Sequence, residues 1–306
     1  MLERILLGDS GFIGTDSLTQ DRTAESLAQL DPEKAMHVMR IAFSTGADGF
    51  VFYTHPTNLA VLKLLSSLDE VSFDMYPLFP YAPELVRDVD EKGTVGMIMD
   101  RIKSLALAGK VKSLFDGGLA ALTTDPVGML KMSLEAEVGS FLRAAPPRAR
   151  LKGIFLHDLI VDLSVALGLE DVIATHISIA ADKYKVKPGL ATKNFPRLVR
   201  FLEKNNISPG GTMIMTPFNK LGFQMNPSRE ACEETLASRS YLDVVATGVL
   251  SAGILDLETA LAYIKKVKNL RSVTVGVSRE EHARTTFKAL MSLRSMVPRA
   301  VSLAQS

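Results

Sequence analysis

The chain has 306 residues, 47% of them hydrophobic, and its 35 lysines and arginines against 34 aspartates and glutamates leave a net charge of +1. That hydrophobic share supports a sizeable core, and the near-neutral balance excludes a broad basic footprint for nucleic acid or anionic lipid. A single cysteine, Cys232, excludes an internal disulfide framework and a cysteine-built zinc site; it is expected to pack on a helix as a small apolar group.

The first residues, MLERILLGDSGFIG, turn polar too quickly for a signal peptide. No uncharged apolar run approaches the roughly 18 residues that span a bilayer. The expectation is a soluble, cytoplasmic protein with no membrane or nucleic-acid partner. Nothing in the sequence argues against a homo-oligomer.

Short apolar, β-branched runs alternate with stretches at helical spacing. Eight such runs read as strands: 4–9, 49–55, 71–79, 152–157, 188–194, 212–218, 243–249 and 272–278. The helix predicted over 31–44 starts with Asp31 and Pro32, a capped beginning. Further helices are predicted over 57–67, 169–184, 194–205, 227–238, 255–267 and 278–293. Ser278 with Glu281 has the capping-box form at the start of the last one, and Ser228 gives a weaker start signal. The region from about 83 to 150 breaks the rhythm. It reads as a helical insertion, with segments at 95–109, 110–118 and 125–144, closed by APPRAR at 145–150.

Eight alternating units favour an α/β fold of the (β/α)₈ TIM-barrel type, one domain over 1–306, with helical insertions between strands three and five. The glycine spacing in DSGFIG does not match an open-sheet dinucleotide fingerprint.

In such a barrel, chemistry gathers at the C-terminal strand ends. Asp9, His55, His157, Lys193 and Asn194 are therefore site candidates, together with Ser10, Tyr76, Tyr81, Thr216, Asn219 and Thr247. His157 follows the apolar run GIFL, and imidazole, with a reference pKa near 6.5, suits acid–base work. A structural role at a loop start competes evenly for His55. Asp158 and Asp162 read more readily as acids favoured by a helix dipole. Lys193 is expected to face inward and Asn194 to start the next helix. Gly248, Gly276, Ser278 and Arg279 follow strands seven and eight, where backbone N–H groups can hold an anion; an ordinary turn and cap is the equal alternative. The long connection TPFNKLGFQMNPSRE, with Leu221, Phe223 and Met225, reads as a loop folded over something. His37, His176 and His282 lie on predicted helices, and of these only His282 is near the anion candidates.

Several segments resemble the aldo-keto reductases, NADP-dependent (β/α)₈ enzymes. GIFLHD resembles their strand-four segment, whose active-site histidine would be His157. ATKNFPRLVRFLEK resembles the strand-five segment in which Ser-Asn-Phe opens a helix; Asn194 and Phe195 match, and Lys193 stands where serine is usual. LDVVATGVLSAGIL resembles the strand-seven segment, and SVTVGVSREEHARTTFKAL the strand-eight segment that holds the adenosine phosphate. By that resemblance Ser278, Arg279 and His282 would lie near a phosphate, and NADP would be the cofactor. The resemblance spans roughly residues 150–293. The family's strand-two aspartate and tyrosine and its strand-three lysine have no counterpart in FVFYTHPTN and VSFDMYPLFPY.

The leading functional expectation is an enzyme acting on a small anionic metabolite, phosphorylated ones included. His157 would be the acid/base and Lys193 the electrophile or Schiff-base amine, with Asp9 and Asn194 orienting them. The alternatives are an NAD(P)-dependent oxidoreductase with a rearranged site, a metal-assisted enzyme using Asp9, His55 and His157, and a non-catalytic binding barrel. No HxH or HxxxH spacing supports a metal, so none is expected.

Overall fold

The computed structural model describes residues 2–13, 31–68, 71–80 and 126–294. Eight strands form the frame: β1 (Arg4–Gly8), β2 (Gly49–Tyr53), β3 (Asp74–Phe79), β4 in two pieces (Arg150–Leu151 and Gly153–Leu156), β5 (Lys187–Ala191), β6 (Met213–Pro217), β7 (Asp243–Thr247) and β8 (Ser272–Gly276). Each pairs in parallel with the next in sequence, and β8 pairs with β1, so the sheet closes. This is a (β/α)₈ barrel, and closure leaves no exposed sheet edge.

The flanking helices are α1 (Pro32–Thr45), α2 (Pro56–Ser66), α3 (Pro126–Ala144), α4 (Asp158–Leu167), α5 (Glu170–Ser178), α6 (Phe195–Lys204), α7 (Arg229–Ala237), α8 (Leu257–Ile264) and α9 (Glu280–Met291). Asp31 caps α1 by accepting from the Glu33 and Lys34 N–H groups. Ser228 caps α7 through the Ala231 N–H. The start expected at Ser278 is corrected. Helix α9 begins at Glu280, the preceding Arg279 makes no capping bond, and Glu280 and Glu281 supply negative charge to the first turn instead. Both α4 and α5 lie between β4 and β5, and α3 lies in the expected insertion before β4. The helical segments expected over 95–118, and Tyr81, lie outside the described residues.

Two apolar layers result. The larger packs the outer strand faces against the helices. The smaller fills the barrel with Leu6, Val51, Tyr76, Leu78, Phe155, Ala191, Met213, Met215 and Val245. Alternation within each strand sets these inward positions. Glycine makes room for the largest: a Cβ on Gly189 would lie 2.4 Å from the Phe155 ring. At the N-terminal end the interior turns polar. Arg4 pairs with Asp243 and donates to Ser272 Oγ at 2.9 Å, and Lys187 Nζ reaches Asp243 Oδ2 at 2.5 Å. Tyr76 is corrected from a mouth candidate to part of this interior; burial pushes its phenol up to about 12. Among the described residues no helix is long and apolar enough to cross a membrane.

Candidate functional site

Strand β4 carries Phe155 inward, so His157, two residues on, faces the barrel mouth. The chain turns there into α4, whose first residue is Asp158. His157 Nδ1 lies 2.6 Å from Asp158 Oδ1. The Leu159 N–H lies 3.0 Å from both His157 Nδ1 and Asp158 Oδ1. A ring nitrogen that close to a carboxylate carries the proton, so the consistent assignment has Nδ1–H donating to Asp158 and Leu159 N–H donating to the same oxygen. That leaves Nε2 outside this pairing. It is buried and has no hydrogen-bond partner among the described residues.

The other oxygen of Asp158 lies 3.4 Å from Lys193 Nζ. By alternation with Lys187, Gly189 and Ala191, Lys193 faces inward past the end of β5. Burial works to raise the Asp158 carboxyl, but His157 and Lys193 outweigh it and hold it well below the ordinary carboxylate range. A permanent carboxylate thus joins an imidazole and an amine at the mouth. The Tyr53 ring stands beside them, its centroid 5.5 Å from that of His157.

One turn further along α4, Asp162 is buried and accepts from three consecutive residues. Thr192 Oγ donates at 2.5 Å, the Lys193 N–H at 3.1 Å and Asn194 Nδ2 at 3.3 Å. Burial is the main cause of its carboxyl being pushed up to about 6. Asn194 precedes α6 as expected, but its side chain makes no capping bond and turns to Asp162.

The remaining candidates are spread around the rim. Asp9 is buried on the outer side of the β1 end, where Oδ2 accepts from the Tyr53 N–H at 2.8 Å and from Asn58 Nδ2 at 2.6 Å. Burial pushes it up to about 7. Among the described residues its link toward the mouth runs through the Tyr53 main chain. His55 caps α2, Nδ1 accepting from the Thr57 N–H at 3.1 Å, and burial lowers its pKa. Gly248 adopts φ +60 in the turn after β7, with open space where a Cβ would sit. The end of β8 is covered: a Cβ on Gly276 would lie 2.0 Å from Ser10 Oγ. Ser278 and Arg279 are exposed at the start of α9.

The β6–α7 connection is a compact wall. Asn219 is fully buried and exchanges two 2.9 Å bonds with the Phe223 main chain, while the Asn226 N–H donates to Lys193 O at 3.1 Å. Met225 is buried as expected, but Leu221 is corrected to an exposed position, 53% accessible. A groove of about 870 Å³ lies outside the barrel between α7 and α8, lined by Arg229, Glu233 and Tyr263; His157 and Lys193 take no part in it. Among the described residues, no three His, Cys, Asp or Glu side chains are placed to hold a metal.

Asp158 and Asp162 are the two members of this side-chain cluster that sequence reasoning undervalued. Their i, i+4 spacing, directly after a strand-end histidine, was the available signal.

The fold and mouth define a closed parallel barrel with an imidazole, a carboxylate and an amine linked at its C-terminal end. No protein-family model matches the sequence, and no curated protein does. Solved structures do match. A Pseudomonas aeruginosa protein described as an aldo-keto reductase has 13% identity and a TM-score of 0.61, covering 95% of this chain and 91% of that one. A Gluconobacter oxydans glycerol dehydrogenase has 12% identity and a TM-score of 0.55, over 94% and 86%. An aldo-keto reductase from Bacillus halodurans, solved in its holo form, has 11% identity and a TM-score of 0.54, over 94% and 86%. The chain thus shares the aldo-keto reductase fold at a distance.

Proposed function

We propose that this barrel is an oxidoreductase of the aldo-keto reductase type with a rearranged active site, acting on a small carbonyl or alcohol substrate. The observation that carries the reading is the buried, partnerless Nε2 of His157 at the mouth of a barrel with this fold. With Nδ1–H committed to Asp158, Nε2 can take up a proton and pass it to a substrate oxygen, or accept one from a hydroxyl. Lys193 keeps Asp158 charged and adds a positive field near that oxygen. Asp9 steadies Tyr53 through its main chain, Asn194 acts through Asp162, and His55 holds the start of α2 at the rim.

A nicotinamide dinucleotide would supply or accept the hydride. The exposed, uncapped first turn of α9, where Ser278 and Arg279 would hold a phosphate, and the open space at Gly248 after β7 support such a group. Ser10 fills the space over Gly276, so that glycine would take no direct part.

Titrating the protein with NADPH and NADH, read by nicotinamide fluorescence, tests the proposal. Saturable binding is expected, at least tenfold weaker in Arg279→Ala. His157→Gln is expected to keep that binding and lose about a hundredfold or more in kcat across a panel of aldehydes and ketones. Absence of any dinucleotide binding would overturn the reading. The linked Lys193, Asp158 and His157 favour one second reading, acid–base chemistry on a small anionic metabolite without a dinucleotide. In that case carboxylate or phosphate metabolites bind and Lys193→Met abolishes the binding. Binding with no turnover of any substrate would leave a non-catalytic barrel.

A further inference from the structure

Helix α4 presents two carboxylates one turn apart to the same short piece of chain. Asp158 meets the Lys193 amine, and Asp162 meets the Lys193 main-chain N–H, the hydroxyl before it and the amide after it. We infer that Asp162 is a positioning residue: it clamps residues 192–194 to α4 so that Lys193 is delivered to Asp158, and through Asp158 to His157. The inference rests on the mouth group in the proposed function, not on the identity of the cofactor.

The geometry separates the clamp from an ordinary helix-terminal acid. Asp162 lies beyond the first turn of α4, where its carboxylate meets no orphan helix N–H, and all three of its donors come from the end of β5. Lys193 lies two residues past the end of β5, so alternation gives it the inner side, while the bonds to Asp162 hold the turn that carries it. Thr192 faces outward, and its hydroxyl is fixed twice, donating to Asp162 and accepting from the Asn194 N–H at 2.8 Å. Rotating this turn would break the three bonds to Asp162 together and swing Lys193 away from Asp158. The charge acting on Asp162 is Asp158 from its own helix; from the β5 turn come Thr192, Lys193 and Asn194. Protonating Asp162 removes acceptor strength from all three donors at once, so acid releases the clamp.

The test follows acetylation of Lys193 by N-hydroxysuccinimidyl acetate on the full chain. Peptide mass spectrometry expresses it relative to Lys34, an exposed lysine on α1. Held against Asp158, Lys193 is expected to react slowly, and its relative rate to step up as pH falls through about 6. Asp162→Asn is expected to raise the relative rate at least threefold at neutral pH and to abolish the step, with circular dichroism unchanged. Asp158→Asn sets the scale for full release. Should Asp162→Asn not fold, Thr192→Val, near-isosteric and lacking one clamp bond, is expected to move the rate in the same direction. A relative rate and pH step unchanged in a folded Asp162→Asn, or in Thr192→Val where Asp162→Asn fails, would overturn the inference. No substrate or cofactor enters the measurement, so it can fail while dinucleotide binding succeeds, or the reverse.

Discussion

Titratable side chains in the wall of this barrel meet different fates, and the partners of each decide which. His176 is fully buried; its Nε2–H donates to Ile154 O at 3.1 Å and Gly189 O at 2.8 Å, tying β4 to β5, and burial lowers it to about 4. His157, equally apolar in its sequence surroundings, is instead held by a carboxylate and keeps one nitrogen unused. Asp158 is charged because the Lys193 amine and the His157 Nδ1–H face it, and Asp162 has only neutral donors. Asp9 likewise has only neutral donors, and its folded value of about 7 lies above the 3.8 of an ordinary aspartate. Its contribution to stability is therefore fully present below pH 3.8 and is lost as pH rises through 7. Asp9→Asn, which still accepts from the Tyr53 N–H, is expected to stabilise the protein by about 3–5 kcal/mol at pH 8.5 and by less than about 1 kcal/mol at pH 4. Urea unfolding at the two pH values checks this, and an equal effect at both would remove the buried-charge account.

At the level of elements, every predicted strand overlaps an observed one, because both faces of a parallel barrel strand are buried and the apolar runs stand out. The ends were less legible. The runs over 49–55 and 152–157 overshoot because His55 and His157 leave the sheet to begin helices, and helix capping is not written in strand composition. Lys193 could be placed on the inner face by counting in twos. Asp158 and Asp162 could not be paired with it, since the turn they meet arrives from another βα unit 30 to 35 residues away. The β6–α7 connection shows the same limit: its apolar residues were visible, but the organising residue is polar. Asn219→Ala is expected to cost about 2–3 kcal/mol, because the Phe223 N–H and C=O both lose their partner. Urea unfolding reads the loss, and limited proteolysis is expected to cut first between residues 220 and 225. A variant as stable and resistant as the parent would show that packing of Met225 alone holds the loop.

Across the whole molecule these buried groups set a pH dependence that surface charge, balanced at net +1, would not. Above about pH 4.5 most unfolded carboxyls are ionised, and below about pH 6.5 unfolded histidines are mostly charged. In the window from about 4.5 to 6, the folded chain keeps protons on Asp9 and Asp162 that the unfolded chain has released. It also withholds from His176 a proton that the unfolded chain binds. Two raised acids against one lowered base leave the folded state with about one more proton, so stability falls with rising pH by about 1.4 kcal/mol per unit. His55, lowered in the same sense as His176, reduces that slope. Among the described residues, an Asp9→Asn, Asp162→Asn double variant keeps the histidine contributions in this window, and these are lost as pH falls from about 6.5 toward the folded value near 4. The sign should then reverse, with the double variant gaining stability as pH rises while the parent loses it. Urea midpoints at three pH values between 4.6 and 5.8 decide it. Parallel slopes in the two proteins would mean that the acids at the mouth titrate like ordinary surface carboxyls, and that the barrel wall around them admits water.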